Sequence, residues 1–283
     1  MSKITADMVK TLRERTGVGM SKCKEALDES AGDMEKAIEY LRKKGMATAV
    51  KKGGRETNEG LIGSSENDEA IVLLELNAET DFVVQNEKFK NFLEALCKEA
   101  LKTNPTDVES FMKQPLSDRP GISIEEARAE LVLSLGENIL IKRLEVIEKQ
   151  AGSSYGVYSH MGGKIVTMIE LSGDSDQEAL AKDIAMHTAA EAPEYLKPAD
   201  VPEEIVAREK DIARTQIGNK PENVVDKILE GKMKSFYEQS CLVCQKFVKD
   251  QSISVEKLLE EASSKTSQPL TITRFARWQV GVA

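Results

Sequence analysis

The sequence predicts an α+β protein: an N-terminal helical bundle, then two subdomains of antiparallel sheet and helix, the second carrying an inserted helical hairpin. Three observations predict it. Over residues 1–45 the apolar positions recur at helical spacing with no strand-like run. Ile71–Leu76 is an almost unbroken apolar run that follows a polar turn and precedes a helical pattern, and the order of sheet then helix recurs after Lys164. Between residues 193 and 240, two sparse apolar stripes flank Gly218-Asn-Lys-Pro221, the pattern of two helices joined by a tight break. At 283 residues the chain exceeds one average domain, so more than one packed unit is expected.

The first 45 residues divide into three short helices. Thr5 is placed to cap the first, with Ile4 and Val9 spaced as a hydrophobic staple and Leu12 continuing the stripe. Gly17-Val-Gly19 separates it from a second stripe of Met20, Cys23 and Leu27. Asp33 is placed to cap a third helix carrying Met34, Ala37, Ile38 and Leu41, with Gly45 as its stop. Three helices in so short a span make a thin-cored bundle (domain 1–52), and the pattern looks like a ubiquitin-associated-type domain. Lys51-Lys-Gly-Gly-Arg55 reads as a basic, glycine-rich linker.

The next subdomain, 56–147, opens with a hairpin from Gly60 to Leu76 around Glu66-Asn-Asp-Glu69. Asn86 is placed to cap a helix from Glu87 to Lys102, on which Phe89, Phe92, Leu93 and Leu96 form one face. Prolines 105, 115 and 120 make residues 103–123 an irregular excursion, before a helix over 124–135 and a strand over 139–147. The last subdomain, 148–192 with 237–283, has a strand over 164–171 and a helix bearing Leu180, Ile184 and His187, expected to be capped by Ser175-Asp-Gln-Glu178. Asp200-Val-Pro-Glu203 is a helix start for the hairpin at 193–236. A strand over 244–248, a helix over 255–262 and a strand over 270–280 complete it.

A net charge of −9 argues against nucleic acid as the main ligand, which needs a basic footprint. No apolar run reaches the length of a membrane span, and the N-terminus lacks the apolar core of a signal peptide. Four cysteines are too few for a disulfide framework, which fits a reducing cytoplasm.

Chemistry-bearing motifs are sparse, and no cofactor or metal is expected. Gly17-Val-Gly19 lacks the third glycine and the preceding strand of a dinucleotide fingerprint, and no phosphate-cradling Gly-x4-Gly-Lys motif occurs. Cys241-Leu-Val-Cys244 has metal-ligand spacing but no second pair to complete it, and Leu242-Val243 suggests a strand entering the core. His187 and Glu191 share a helix face without a third ligand, so His187 is expected to be a buried, hydrogen-bonded residue. The unusual segment is Glu75-Leu-Asn-Ala-Glu-Thr-Asp-Phe-Val83, where a buried strand runs into a strand-to-helix turn carrying Phe82. An apolar ring there either folds in as a core plug or projects as an anchor for a partner.

That segment resembles a signature of bacterial elongation factor Ts. So does Leu-Arg-Glu-Arg-Thr-Gly-Val-Gly-Met-Ser-Lys-Cys-Lys-Glu-Ala-Leu over 12–27, with further similarity at Gly136-Glu-Asn-Ile139, Ile184-Ala-Met-His-Thr-Ala-Ala190 and Glu230-Gly-Lys-Met233. The resemblance implies a guanine-nucleotide exchange factor, performing no covalent chemistry, that binds elongation factor Tu carrying GDP. It would wedge Thr80, Asp81, Phe82 and Val83 into the partner's GTPase domain and disturb the Mg2+ site there. Leu12, Arg13, Met20 and Lys24 would contact the partner from the bundle, and Leu135, Gly136, His160, Phe247 and Val248 from the core. The hairpin would protrude as a coiled coil, and there is room for a homodimer through the core or the hairpin. Val84-Gln85 and Ala78 depart from the usual signature, and no extra C-terminal helix follows the last strand. Two other readings stand beside this one: a ubiquitin-associated-type binding adaptor without exchange activity, and a thiol or metal hydrolase built on Cys241, Cys244 and His187.

Overall fold

In the computed structural model, which describes residues 4–217, 222–266 and 268–282, the chain divides into two compact units. One comprises Met1–Lys149 with Gln279–Ala283, the other Gln150–Trp278.

The first unit begins with α1 (Ala6–Thr16), α2 (Met20–Glu29) and α3 (Met34–Lys52). Thr5 and Asp33 cap α1 and α3 as expected, accepting from the amides of Met8 and Lys36. Val9, Leu12, Val18, Cys23, Leu27 and Leu41 bury together, with Ile4 against them. Gly45 does not stop α3. The helix continues through Lys52, taking in Lys51 and Lys52 of the expected linker, while Ala49 joins the core of the following sheet. Gly45 is buried because a Cβ there would lie 3.1 Å from the Ala129 carbonyl oxygen of the helix crossing it. Its role is close packing rather than termination.

Strands β1 (Glu59–Glu66) and β2 (Ala70–Ala78) form the expected hairpin. Asn67 Oδ1 closes its turn by accepting from the amides of Glu69 and Ala70, at 2.9 and 2.8 Å. Then come α4 (Asp81–Val84), α5 (Glu87–Thr103), the short α6 (Val108–Met112) within the proline-rich stretch expected to be irregular, α7 (Ile124–Leu135) and β3 (Ile139–Glu148). β2 is the middle strand of an antiparallel β1-β2-β3 sheet. Phe89, Phe92, Leu93 and Leu96 of α5 pack on it with Val72, Leu74 and Leu76. A bulge skips Lys142, so that Arg143 faces Glu75. Buried Glu75 accepts from Arg143 Nε at 2.8 Å and from the amide of Gly281 at 3.3 Å, and Arg143 donates to the Gln279 carbonyl. The C-terminal segment is thereby tied back to the first unit.

In the second unit β4 (Ser153–His160) pairs with β5 (Ile165–Ser172), followed by α8 (Glu178–Glu191), the hairpin helices α9 (Glu203–Ile217) and α10 (Glu222–Ser240), then β6 (Lys246–Phe247), β7 (Asp250–Ser254), α11 (Val255–Ser263) and β8 (Thr271–Gln279). The sheet order β4-β5-β8 repeats that of β1-β2-β3: a hairpin, then helices, then a third strand beside the second. The Ser175–Glu178 box does not form. Gln177 precedes α8 without a side-chain cap, and its amide donates to Ser154 Oγ at 2.8 Å. Asp200 lies in a 3-10 turn, and α9 starts after Pro202, whose carbonyl accepts from Ile205 and Val206. α9 and α10 share a core of their own, Ala213, Ile217, Leu229 and Met233. α10 runs four residues beyond the expected boundary, and the break at 218–221 lies outside the described residues.

Candidate functional site: an exposed phenylalanine on a clamped turn

β2 ends on buried Ala78, and the chain turns through Glu79 and Thr80 into the single-turn helix α4. Thr80 caps it in extended conformation, its hydroxyl accepting from the Val83 amide at 3.4 Å. Val84 is fully buried in the core of the first unit and Val83 packs against that core, so both anchor the turn. Phe82 points the other way and is 85% exposed. The core-plug reading is therefore excluded. Asp81 beside it is also exposed.

Two carboxylates fasten this turn to the loop between α7 and β3. Glu137 accepts from the Thr80 amide at 3.0 Å and from its hydroxyl at 2.6 Å. Reciprocally, Glu79 accepts from the Asn138 amide at 2.6 Å and from Arg55 at 3.3 Å. The Asn138 amide, with the guanidinium of Arg55 assisting, holds the Glu79 carboxyl below its usual range. Asn138 and Asn77, both buried, donate their side-chain amides to the carbonyls of Arg55 and Thr57, so the segment after α3 is fixed to the same place.

α7 has no basic residue in its last turn, and lysines from three other helices gather at its carboxyl end. Lys22 donates to the Leu133 carbonyl at 2.7 Å and Lys52 to that of Gly136 at 2.5 Å. Lys88 bridges Ser134 Oγ and the Gly17 carbonyl at 2.8 and 2.6 Å. Burial, followed by repulsion from Lys44 and Lys52, lowers the pKa of Lys22. The end of α7 thus holds the Gly17 turn of the bundle on one side and, through Glu137, the Phe82 turn on the other. On the bundle, Arg13, Met20 and Lys24 are exposed, Met20 at 52%. Leu12 is not: it is fully buried in the bundle core, as its place in the apolar stripe of α1 leads one to expect. Leu135 is half-buried and Gly136 exposed, the latter capping α7 at φ 83°.

The remaining residues singled out lie in the second unit. His160 is exposed at the end of β4, with Nδ1 3.2 Å from the hydroxyl of Tyr158, whose ring stacks on it. Phe247 is buried in the core, its ring beside His187; Val248 is half-buried. His187 is buried and fully partnered: Nδ1 accepts from the Val248 amide and Nε2 donates to Gln245 Oε1, each at 3.1 Å. Cys241 and Cys244 bound a 3-10 turn, not the expected strand. Burial raises the pKa of both thiols, that of Cys244 to about 11, so neither is a thiolate nucleophile at neutral pH.

The environment of His187 makes a pH prediction. Burial is the main cause pulling its pKa below the usual value, outweighing Gln245 and Glu191, which act oppositely. The folded state therefore binds this proton less readily than the unfolded state, whose histidine titrates near ~6.5. Stability from this group is complete above that pH and is lost as pH falls through the lower folded value. With two histidines in the chain, a His160→Asn variant leaves one imidazole NMR resonance to follow. Its midpoint should fall below ~6.5, and a midpoint at or above that value would contradict the assignment.

Motif reading singled out Phe82 and its neighbours, quoted Glu79, Glu137 and Asn138 within its motifs without giving them a role, and passed over Lys88. A carboxylate directly after the helix-stop Gly136 was the available signal for Glu137; nothing local pointed to Lys88, which acts 71 residues from Gly17. The family model for "Elongation factor TS" matches residues 79–282. Proteins named elongation factor Ts from Protochlamydia amoebophila (strain UWE25), Chlamydia trachomatis serovar L2 and Chlamydia muridarum are 54%, 42% and 41% identical over 281 residues, covering 99% of this chain and 100% of each relative. A match over most of the chain, with the Phe82 turn inside it, makes this a member of the elongation factor Ts family of translation elongation factors.

Proposed function

We propose that the chain is a guanine-nucleotide exchange factor that binds elongation factor Tu carrying GDP and speeds GDP release by inserting the Thr80–Val83 turn into the GTPase domain. The observation that carries this is the exposure of Phe82 on a turn whose backbone is fixed by Glu137, Val83 and Val84. An aromatic ring projected from a rigid base can fill an apolar pocket with little ordering cost, which is the usual make-up of a binding hot spot.

Exchange requires differential binding. A factor that prefers the nucleotide-free partner must, by reciprocity, weaken the partner's hold on nucleotide by the same factor. Insertion of Phe82, with Asp81 making a polar contact beside it, would displace the elements that hold the Mg2+ ion. Loss of that cation leaves the charge of the two phosphates poorly compensated. Arg13, Met20 and Lys24 would form the contact from the bundle, and Leu135, Gly136, His160 and Val248 further contacts. The bundle face and the Phe82 turn share one support, the end of α7, so they would engage the partner together.

The test is release of a fluorescent GDP analogue from elongation factor Tu with increasing amounts of this chain. Accelerated release supports exchange, whereas binding without acceleration would leave only an adaptor. Met20→Ala should raise the half-saturating concentration several-fold, the roughly 1 kcal/mol of an off-centre contact, with the maximal release rate unchanged. An unchanged half-saturation point would remove Met20 from the interface.

A further inference from the structure

We infer that Glu137 is a positioning residue for exchange: by clamping Thr80 it sets the direction in which α4 presents Phe82. The inference rests on the reading of Phe82 as the exchange wedge. The ring at 85% exposure has almost no packing of its own to orient it, so its direction depends on the backbone beneath it. That backbone is one helical turn, Asp81–Val84, too short to hold itself against fraying.

The chemistry at Thr80 explains how Glu137 supports it. A threonine hydroxyl has one hydrogen and two lone pairs. With the hydrogen given to Glu137 at 2.6 Å, the rotor is fixed and a lone pair is left for the Val83 amide at 3.4 Å, the capping bond of α4. The second Glu137 oxygen takes the Thr80 amide at 3.0 Å, holding the residue in the extended conformation that a cap requires. Glu79 and the Asn138 amide make the converse contact at 2.6 Å, so each segment's carboxylate fastens the other's backbone and the two cannot slide apart independently. Removing the Glu137 carboxylate frees the Thr80 hydroxyl to rotate and leaves a half-buried amide without its acceptor. The core beneath, Val84 included, is untouched.

Glu137→Ala and Glu137→Gln test this, with Phe82→Ala as reference. In the free chain, Glu137→Ala should speed hydrogen exchange at the Thr80 and Val83 amides about tenfold or more while the melting temperature falls by no more than ~3 °C. With elongation factor Tu loaded with a fluorescent GDP analogue, the maximal release rate should fall about tenfold, as misplacement of a working group does, and the half-saturating concentration should change far less. Glu137→Gln keeps an acceptor oxygen for the hydroxyl and should recover part of both signals. Unchanged protection of Val83 in Glu137→Ala would overturn the inference, as would a rate loss no larger than the loss of folded protein. If Phe82→Ala releases GDP normally, the wedge reading is what fails. Faster exchange at Val83 in the free Glu137→Ala chain would then still support the clamp on the turn, but not its role in nucleotide release.

Discussion

Phe82→Ala should leave the fold nearly intact and remove most of the exchange activity. Truncating a core phenylalanine costs about 3–5 kcal/mol because a cavity is left behind. Phe82 is 85% exposed, so no cavity forms, and the change in stability should stay within the roughly 0.5 kcal/mol of ordinary surface substitutions. The functional loss has a different origin. A central aromatic anchor contributes about 2 kcal/mol or more, so maximal GDP release should slow roughly 30-fold or more. Complex formation through Arg13, Met20 and Lys24 should survive in part. Asp81→Ala should act in the same direction but less, since an exposed polar contact is worth less than a buried ring. Thermal melting and stimulated release on the same preparations decide the matter. A large fall in melting temperature with normal release per folded molecule would rule out the wedge.

The largest effect on stability should come from a far smaller change, Gly156→Ala in β4. A Cβ at Gly156 would lie 2.2 Å from the Lys182 amide nitrogen and 2.3 Å from the Ala181 carbonyl carbon of α8. Those are backbone atoms, so relief requires shifting the helix off the sheet rather than swinging a side chain aside. Ala181, Ile184 and Ala185 of α8 and Ile169 and Leu171 of β5 would all lose contact together, since they share one core. The cost should reach or exceed the upper end of the ~1–3 kcal/mol typical of overpacking, a fall in melting temperature on the order of 10 °C. Gly231→Ala is the matched control. It lies within α10 with nothing within 4 Å of its added Cβ, and should stabilise by roughly 0.5–1 kcal/mol through helix propensity. Equal, small shifts for the two variants would show that α8 does not pack on β4 this closely.

Composition and periodicity by themselves determined the α+β class, the order of sheet and helix in each half, and the caps at Thr5, Asp33 and Asn86. These are local matters: a cap bonds two or three residues ahead, and an apolar stripe needs only its own spacing. The motif at 75–83 also marked the site, because a bulky ring at a strand-to-helix turn stands out from its neighbours. Which way that ring points was not local. Residue type allowed a plug or an anchor, and only the packing of Val83 and Val84 beneath the turn put Phe82 outside.

The same separation explains the errors. Gly45 was misread as a helix stop because burial depends on what crosses a helix from elsewhere in the chain, here Ala129 over Gly45. The box at Ser175–Glu178 failed because Ser154, 23 residues earlier, supplies the acceptor that the local serine was expected to provide. Glu137 and Lys88 act across 57 and 71 residues, on Thr80 and Gly17, and no pattern within a window of one helix registers such a pairing. The sequence alone determined which residues could form a cap, a stripe or an anchor. Tertiary structure decided which anchor was left uncovered and which distant carboxylate and ammonium groups hold it in place, because burial and long-range hydrogen bonds exist only once the segments are brought together.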